Sequence, residues 1–318
     1  MKTLVIIGPT STGKTDLALQ LASKFQGELV SVDSRQVYKG LDIGTGKLPG
    51  QEVKVEKAKG FWEMAGVKAW MYDVADPNRQ YTVFDYVREA NQAMDNIIHR
   101  NKLPILTAGT GLYLKAFLEG LPNMVVPMDS KLREKLEKLS LDKLQKKLQK
   151  ASSQKWEKMN NSDRQNPRRL IRAIEIGSEA DINIATGGLM SKVDILKIGL
   201  IAPREILYQR IDQRVINRIE QGMIKEAEKL YKAGLSLQRM RQLGLEYGML
   251  ADYLEGKIQK EELIKSLQGK IHGYARRQIT WFKREKEISW FDIMDEDYLS
   301  KVENFVAKWY HQSDDTKS

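Results

Sequence analysis

Eight consecutive residues, Gly8, Pro9, Thr10, Ser11, Thr12, Gly13, Lys14 and Thr15, match the spacing G-x-x-x-x-G-K-[ST]. Glycines at both ends let a backbone curl until its N–H groups point inward, a geometry suited to a polyphosphate. Lys14 adds a point charge, and Thr15 places a hydroxyl where Mg2+ is held on such a ligand. The motif follows the apolar run TLVII and precedes a helical pattern, the strand-loop-helix context it requires. A phosphate loop specifies a diphosphate and leaves the reaction open among kinases, NTPases and transferases that release pyrophosphate.

A carboxylate belongs to the same chemistry. ELVSVD reads as a strand ending at Asp33. Ligands of open parallel sheets lie just beyond the strands' carboxyl ends, so Asp33 and Lys14 are expected to share a cleft. There Asp33 could reach Mg2+ through water, act as general base toward a nucleophile, or only cap the following turn. Asp42 reads as structural, while Asp73 closes a second apolar run, WMYD, and keeps a Walker-B-type assignment ambiguous. In REILYQRIDQRVINRIE, Arg210, Arg214 and Arg218 recur every four residues and share one helix face. That face either meets a leaving phosphate or is a solvated stripe paired with acids such as Asp212 and Glu220. With no cysteine, a disulfide framework, a Cys-based zinc site and a thiol nucleophile are excluded, and with three histidines a His-rich metal cage is not expected.

The elements that must position these residues follow from periodicity. Over the first 120 or so residues, short apolar runs alternate with helical stretches, near Asp16 to Phe25 and Phe84 to Arg100, the rhythm of a parallel sheet with helices on both faces. From about Pro122 the strand signal disappears. Leu132, Leu136, Leu139, Leu144 and Leu148 recur at three-, four- and five-residue steps amid charge, which predicts amphipathic helices. VDILKIGLIAP resumes the sheet as its last strand, Pro203 opens a long helix, and the rest to about Glu287 is helical in pattern. The division expected is therefore a core over 1–121, a helical insertion over 122–190, and core completion with C-terminal helices over 191–318. HQSDDTKS reads as a frayed tail. The 318-residue chain carries 52 Lys+Arg against 42 Asp+Glu, a net charge of +10, which hints at an anionic partner. No apolar run reaches the length of a membrane span, and no secretory signal precedes the first strand, so a cytoplasmic protein is expected.

Five ordered blocks, GPTSTGKT, SVDSRQVYKGLDIGTGK, LPILTAGTGLYLKAFLEGL, DRQNPRRLIRAIEI and RQITWF, resemble the tRNA dimethylallyltransferases, also called tRNA isopentenyltransferases. The resemblance spans most of the chain. It implies an α/β fold, a P-loop kinase-like parallel sheet core with a helical insertion domain and a helical C-terminal region. It also implies transfer of a dimethylallyl group from dimethylallyl diphosphate to N6 of the adenosine 3′ of the tRNA anticodon, with Mg2+ and release of pyrophosphate. Asp33 matches the family's base, Arg210 is favoured for the leaving group, and Gly8 to Thr15 would hold the diphosphate. Ser34, Arg35, Gln36 and Thr110 would lie beside the target base. Arg168, Arg169, Leu170, Ile171 and Arg172, with Arg276, Arg277 and Gln278, would face the anticodon stem-loop. A monomer is expected. The sequence departs from the family at Ala108, Gly46 and Leu48, in lacking a histidine ahead of WMYD, and at Gly244-Leu245-Glu246-Tyr247, where the family has G-Y-[KR]-[EQ].

On the residues alone, alternating cations and rings in GKIHGYARRQITWFKREK suit RNA phosphates and unstacked bases, or form a solvated face over a core in which Trp281 is buried. A P-loop kinase or NTPase leaves SVDSRQVYKG unexplained. An isopentenyltransferase of free nucleotides leaves the insertion and the basic helix without a task. A non-catalytic RNA-binding protein would not need Lys14, Thr15 and Asp33 together.

Overall fold

A computed structural model describes residues 1–50, 53–124, 126–177 and 193–312. The end of the expected insertion near 190 and most of the expected tail lie outside the described residues. The chain divides into two compact units, Met1–Leu118 with Leu189–Ser318, and Glu119–Gly188.

The first unit is built on one eight-stranded sheet. Its strands are β1 (Lys2–Ile7), β2 (Gly27–Val32), β3 (Val55–Ala58), β4 (Phe61–Met64), β5 (Val67–Trp70), β6 (Leu103–Ala108), β7 (Asp194–Ile201) and β8 (Ile288–Asp292). They lie in the order β3-β4-β5-β2-β6-β1-β7-β8, with every pairing from β5 to β8 parallel. β1, β2 and β6 are buried along almost their whole length, which is why they read as continuous apolar runs. Two features differ from the sequence reading. β3, β4 and β5 form an antiparallel meander on one edge, and β7 is not the last strand, because β8 pairs beside it in parallel.

Helices α1 (Lys14–Lys24), α2 (Val83–His99) and α3 (Gly111–Glu119) precede the second unit in the chain. α1 and α3 begin at the phosphate loop and at the turn after β6. α2 opens with a reciprocal capping box between Thr82 and Asp85. Leu17, Leu21 and Ala22 of α1 pack with Leu4, Ile6, Leu29 and Ile105 in the sheet core.

The second unit contains α4 (Ser130–Glu137), α5 (Leu141–Ala151), α6 (Ser153–Lys158), α7 (Asn161–Arg164) and α8 (Pro167–Ile176). Side-chain oxygens of Asp129, Ser140, Ser152, Asn160 and Asn166 cap these helices in turn, a series of start signals that explains how short helices stay distinct. Leu136, Leu144, Leu148, Leu170, Ile171 and Ile174 close a separate small core.

After β7 come α9 (Arg204–Glu220), α10 (Met223–Lys232), α11 (Leu237–Leu243), α12 (Leu245–Leu254) and the long α13 (Lys260–Phe282), then β8 and α14 (Tyr298–His311). Among the described residues no helix is long and apolar enough to cross a membrane.

Candidate active site

The phosphate loop is shaped by its glycines. Gly8 (φ 148°) lies so close to β7 that a Cβ there would stand 2.6 Å from the Leu200 carbonyl oxygen, and Gly13 adopts φ 83°. The hydroxyl of Thr12 and the ammonium of Lys14 both donate to Pro9 O, at 2.9 and 2.7 Å. Among the described residues the buried Ser11 Oγ has no hydrogen-bond partner, and Ser11 itself has φ 66°. The loop thus holds one buried hydroxyl, that of Ser11, with no partner among the described residues.

Around it opens a cavity of about 410 Å³ at the carboxyl ends of β1, β2 and β6, lined by Lys14, Thr15, Asp33, Arg35, Gln36, Arg210, Arg214, Arg218, Glu246, Tyr274 and Gln278 among others. Asp33 follows β2 directly. Its Oδ1 accepts from the amides of Arg35 (2.7 Å) and Gln36 (3.3 Å), so it does cap the turn. Its Oδ2 takes no part in that cap and lies where a Cβ on Gly109 would come within 3.0 Å. Burial raises the Asp33 pKa, against the pull of those amides, Arg35 and Lys14. Capping and proton acceptance are therefore compatible on one side chain.

Asp73 is elsewhere. It binds the buried Lys47 ammonium and accepts from Trp62 Nε1 at 2.8 Å. Asp42 meets Lys47 at 2.8 Å and also pairs with Lys57, so both acids fasten the loop that follows β2. That loop is held from its other side by Glu226 of α10, whose carboxylate accepts from the amides of Asp42, Ile43 and Gly44 at 2.9, 2.8 and 3.0 Å. Gln36 Nε2 donates to Gly46 O at 3.1 Å, and Ser31 Oγ donates to Gln36 Oε1 at 2.6 Å.

The arginines come from one face of α9: Arg210, Arg214, Asn217, Arg218 and Gln221 all line the cavity. Arg214 Nη1 reaches Thr10 Oγ1 of the loop at 3.2 Å, and Arg218 Nη1 donates to Gly44 O at 3.2 Å. Arg210, the residue favoured from sequence, lines the same cavity but is exposed, so Arg214 is the arginine in contact with the loop. Of the acids expected as surface partners, Asp212 meets His272 at 2.8 Å instead of an arginine of α9. Burial, then Arg214, pull the Lys14 pKa down to about 7. The Arg218 charge, then burial, likewise lower that of Arg214. Cations so crowded call for a multivalent anion.

α13 closes the site. Gln278 is buried and ties two turns together, accepting from Thr10 N at 2.9 Å and donating to Gly109 O at 2.7 Å, while Tyr274 OH donates to the same carbonyl at 2.9 Å. Gln278 is thus placed as a structural link to the phosphate loop. Thr110 Oγ1 accepts from Ser34 N at 3.4 Å. Trp281 is half-buried, its ring filling the space above Gly111, and Phe282 is the fully buried ring of the pair. Arg276 and Arg277 are exposed, Arg276 donating to Tyr208 OH at 3.0 Å.

In the second unit, Arg168 and Arg169 are exposed, and Arg169 pairs with Asp163. Leu170 and Ile171 are core residues there, 0% and 5% exposed, so their side chains do not reach a ligand. Arg172 donates to Asn123 O and Val126 O, both at 2.9 Å, a bracing role.

The sequence marked Glu246 only as a departure from the family's G-Y-[KR]-[EQ], and it did not single out Asn217 and Gln221. The i, i+4, i+7, i+8, i+11 recurrence on α9 would have found the last two.

Among the described residues no group of three or more His, Cys, Asp or Glu could hold a metal ion. Mg2+ is compatible with the residues present, because it is typically bound by few protein oxygens and by substrate phosphates; Thr15 and the unpartnered Ser11 hydroxyl face that chemistry.

A phosphate loop on a mostly parallel sheet, with a carboxylate at the end of β2, one strand removed from β1, and an arginine-lined helix across the same cavity, defines a P-loop protein. Within that class, residues 36–285 match the family model described as IPP transferase and residues 1–64 the one described as isopentenyl transferase. A tRNA dimethylallyltransferase 2 of Treponema denticola is 41% identical over 88% of this chain and 91% of its own. One from Bacillus cereus is 33% identical over 99% and 98%. The structure of the tRNA isopentenylpyrophosphate transferase from Bacillus halodurans superposes with a TM-score of 0.69 at 33% identity, covering 97% of this chain and 96% of that one. A eukaryotic dimethylallyltransferase captured acting on tRNA gives 0.74 at 25% identity, covering 96% and 80%. The chain belongs to the tRNA dimethylallyltransferase (IPP transferase) family.

Proposed function

We propose that this protein transfers a dimethylallyl group from dimethylallyl diphosphate to N6 of an adenosine in tRNA, at the position 3′ of the anticodon, and releases pyrophosphate. The observation that carries this reading is the convergence of Asp33 Oδ2 with the loop, Lys14 and Arg214 in one cleft. The adenine N6 lone pair is delocalised into the ring, so attack needs help at both ends. As the C–N bond forms, Asp33 accepts the N6 proton; as the allylic C–O bond breaks, its electron pair departs on the diphosphate, where loop amides, Lys14 and Arg214 meet the growing charge. Thr15 would hold Mg2+, which when bound neutralises part of the diphosphate charge.

Gln36, fixed by Ser31 and Gly46, and Arg35 stand beside Asp33 and suit the edge of a base drawn out of its stack. Arg276, Arg277, Arg168 and Arg169 offer exposed cations to the RNA backbone, and the protein would act as a cytoplasmic monomer.

Purified protein incubated with labelled dimethylallyl diphosphate, Mg2+ and tRNA lacking the modification tests the reading. Label is expected on the RNA, in digests at N6-modified adenosine. ATP hydrolysis without transfer of label to RNA would overturn it.

A further inference from the structure

Glu246 is a half-buried acid lining a cleft that must receive an anion, and the reaction described above gives it no task. It stands in the first turn of α12, after a break in the helical run where Gly244 (φ 76°) and Leu245 (φ 31°) both take left-handed backbone. A leucine in that region is strained, and such strain persists only where the surroundings enforce it. Here it turns Leu245 and Glu246 into the cavity. Among the described residues the ion-pair partner of Glu246 is Arg218, Nη1 to Oε1 at 3.6 Å, with side chains 14% and 10% exposed.

Arg218 and Arg214 both converge on Gly46: a Cβ there would stand 1.8 Å from Arg218 Nη2 and 2.5 Å from Arg214 Nη2. Two guanidinium groups packed over one glycine repel, and Arg214 is the one that touches the phosphate loop. Glu246 and Gly44 O hold Arg218 on its own side. Freed from Glu246, the Arg218 guanidinium would find its best acceptor in a diphosphate held between Arg214 and Lys14. An added charge-assisted contact to the product slows its departure as much as it strengthens binding.

We propose that Glu246 is a positioning residue that withholds Arg218 from the diphosphate, and so sets how tightly the cleft grips pyrophosphate and how readily that product leaves. This rests on the diphosphate reading of the cleft, and the test separates the two. Pyrophosphate with Mg2+ is titrated calorimetrically into wild type, Glu246→Gln, Arg218→Met and the double variant, each first checked for a folded thermal transition. Glu246→Gln is expected to bind pyrophosphate about fivefold or more tighter, and with tRNA its kcat falls while kcat/KM for the donor is held or raised. Arg218→Met, which leaves the acid uncompensated, is expected to bind more weakly. The double variant is expected to return the affinity to within about twofold of wild type. A purely structural pair would weaken binding in both single variants. Folded Glu246→Gln with unchanged or weaker pyrophosphate affinity overturns the inference alone. If Glu246→Gln does not fold, the double variant decides: affinity matching Arg218→Met, not wild type, also overturns it. Wild type that binds no pyrophosphate removes the diphosphate reading and this inference with it.

Discussion

Lys14 is held where its charge is least comfortable, enclosed by protein and facing Arg214, with a pKa near 7 that Asp33 only partly restores. A diphosphate beside it stabilises the ammonium and returns the pKa toward its ordinary 10.5. Between those two values binding must take up a proton, whereas below about pH 7 the lysine is already charged and no uptake occurs. Pyrophosphate affinity is therefore expected to fall as pH rises above about 7. The ligand's own titration is common to all variants, so the check is the difference between wild type and Lys14→Met; equal pH slopes would remove Lys14 as the linked group. Asp33 works with the opposite sign. Its raised pKa means that its capacity to accept a proton is lost as pH falls through that value. Replacing it by Ala is expected to lower single-turnover transfer by roughly 10²–10⁴. tRNA affinity should be largely retained, measured by filter binding, and near-normal transfer would exclude it as base.

At the level of elements, the loop after β2 depends on a helix almost two hundred residues away in sequence. Glu226 of α10 satisfies three consecutive amides, and Tyr247 OH donates to the same carboxylate at 2.5 Å. Glu226→Ala strands those amides, each costing about 1–3 kcal/mol if left without water. We expect a lower melting temperature by calorimetry, and a fall in kcat larger than any change in KM, because Thr45 and Gly46 line the cleft. Intact kcat would show that the loop does not need its anchor. The sequence made β1, the phosphate loop, β2 and β6 legible because buried parallel strands are uninterrupted apolar runs. It showed β5 only as the run leading into WMYD, and hid β3 and β4, four residues each in a charged stretch with turns at Gly60 and Gly66, and β8, whose strand character comes from pairing with β7. Period-four arginines announced one helix face, but which of them meets the loop depends on how α9 is rotated against it. Glu246 stood out in the sequence only as a departure from G-Y-[KR]-[EQ]; where it points follows from the backbone at Gly244 and Leu245, which periodicity does not encode.

Across the whole molecule, the proposed function would divide the +10 charge between two kinds of anion, and salt should distinguish them. Lys14 and Arg214 lie inside a cavity, where charges are screened less than at an open surface. Arg276 and Arg277 are both exposed on α13; Arg276 lies opposite Ile271, Tyr274 and Gln278, which line the cavity, and Arg277 lies on the flank of the helix. Arg276 is already oriented, donating to Tyr208 OH, which also accepts from Arg204 Nε at 3.1 Å. In a folded chain such a cation meets a phosphate with little further ordering. Each neutralised RNA phosphate releases counterions, so log affinity for tRNA should fall steeply with log salt, while pyrophosphate binding should respond far less. Changing Arg276 and Arg277 together to Ala is expected to reduce the tRNA salt slope by about 0.7–0.9 for each phosphate that is no longer neutralised. KM for dimethylallyl diphosphate should stay within about twofold, since neither residue lines the cavity. Arg168→Ala in the helical unit should flatten the slope by a similar single step, as it is exposed and lies outside that unit's core. Fluorescence anisotropy of labelled tRNA over a salt series measures both. A slope unchanged in the double variant would mean that the basic face of α13 does not meet RNA, and that the excess charge is used elsewhere on the surface.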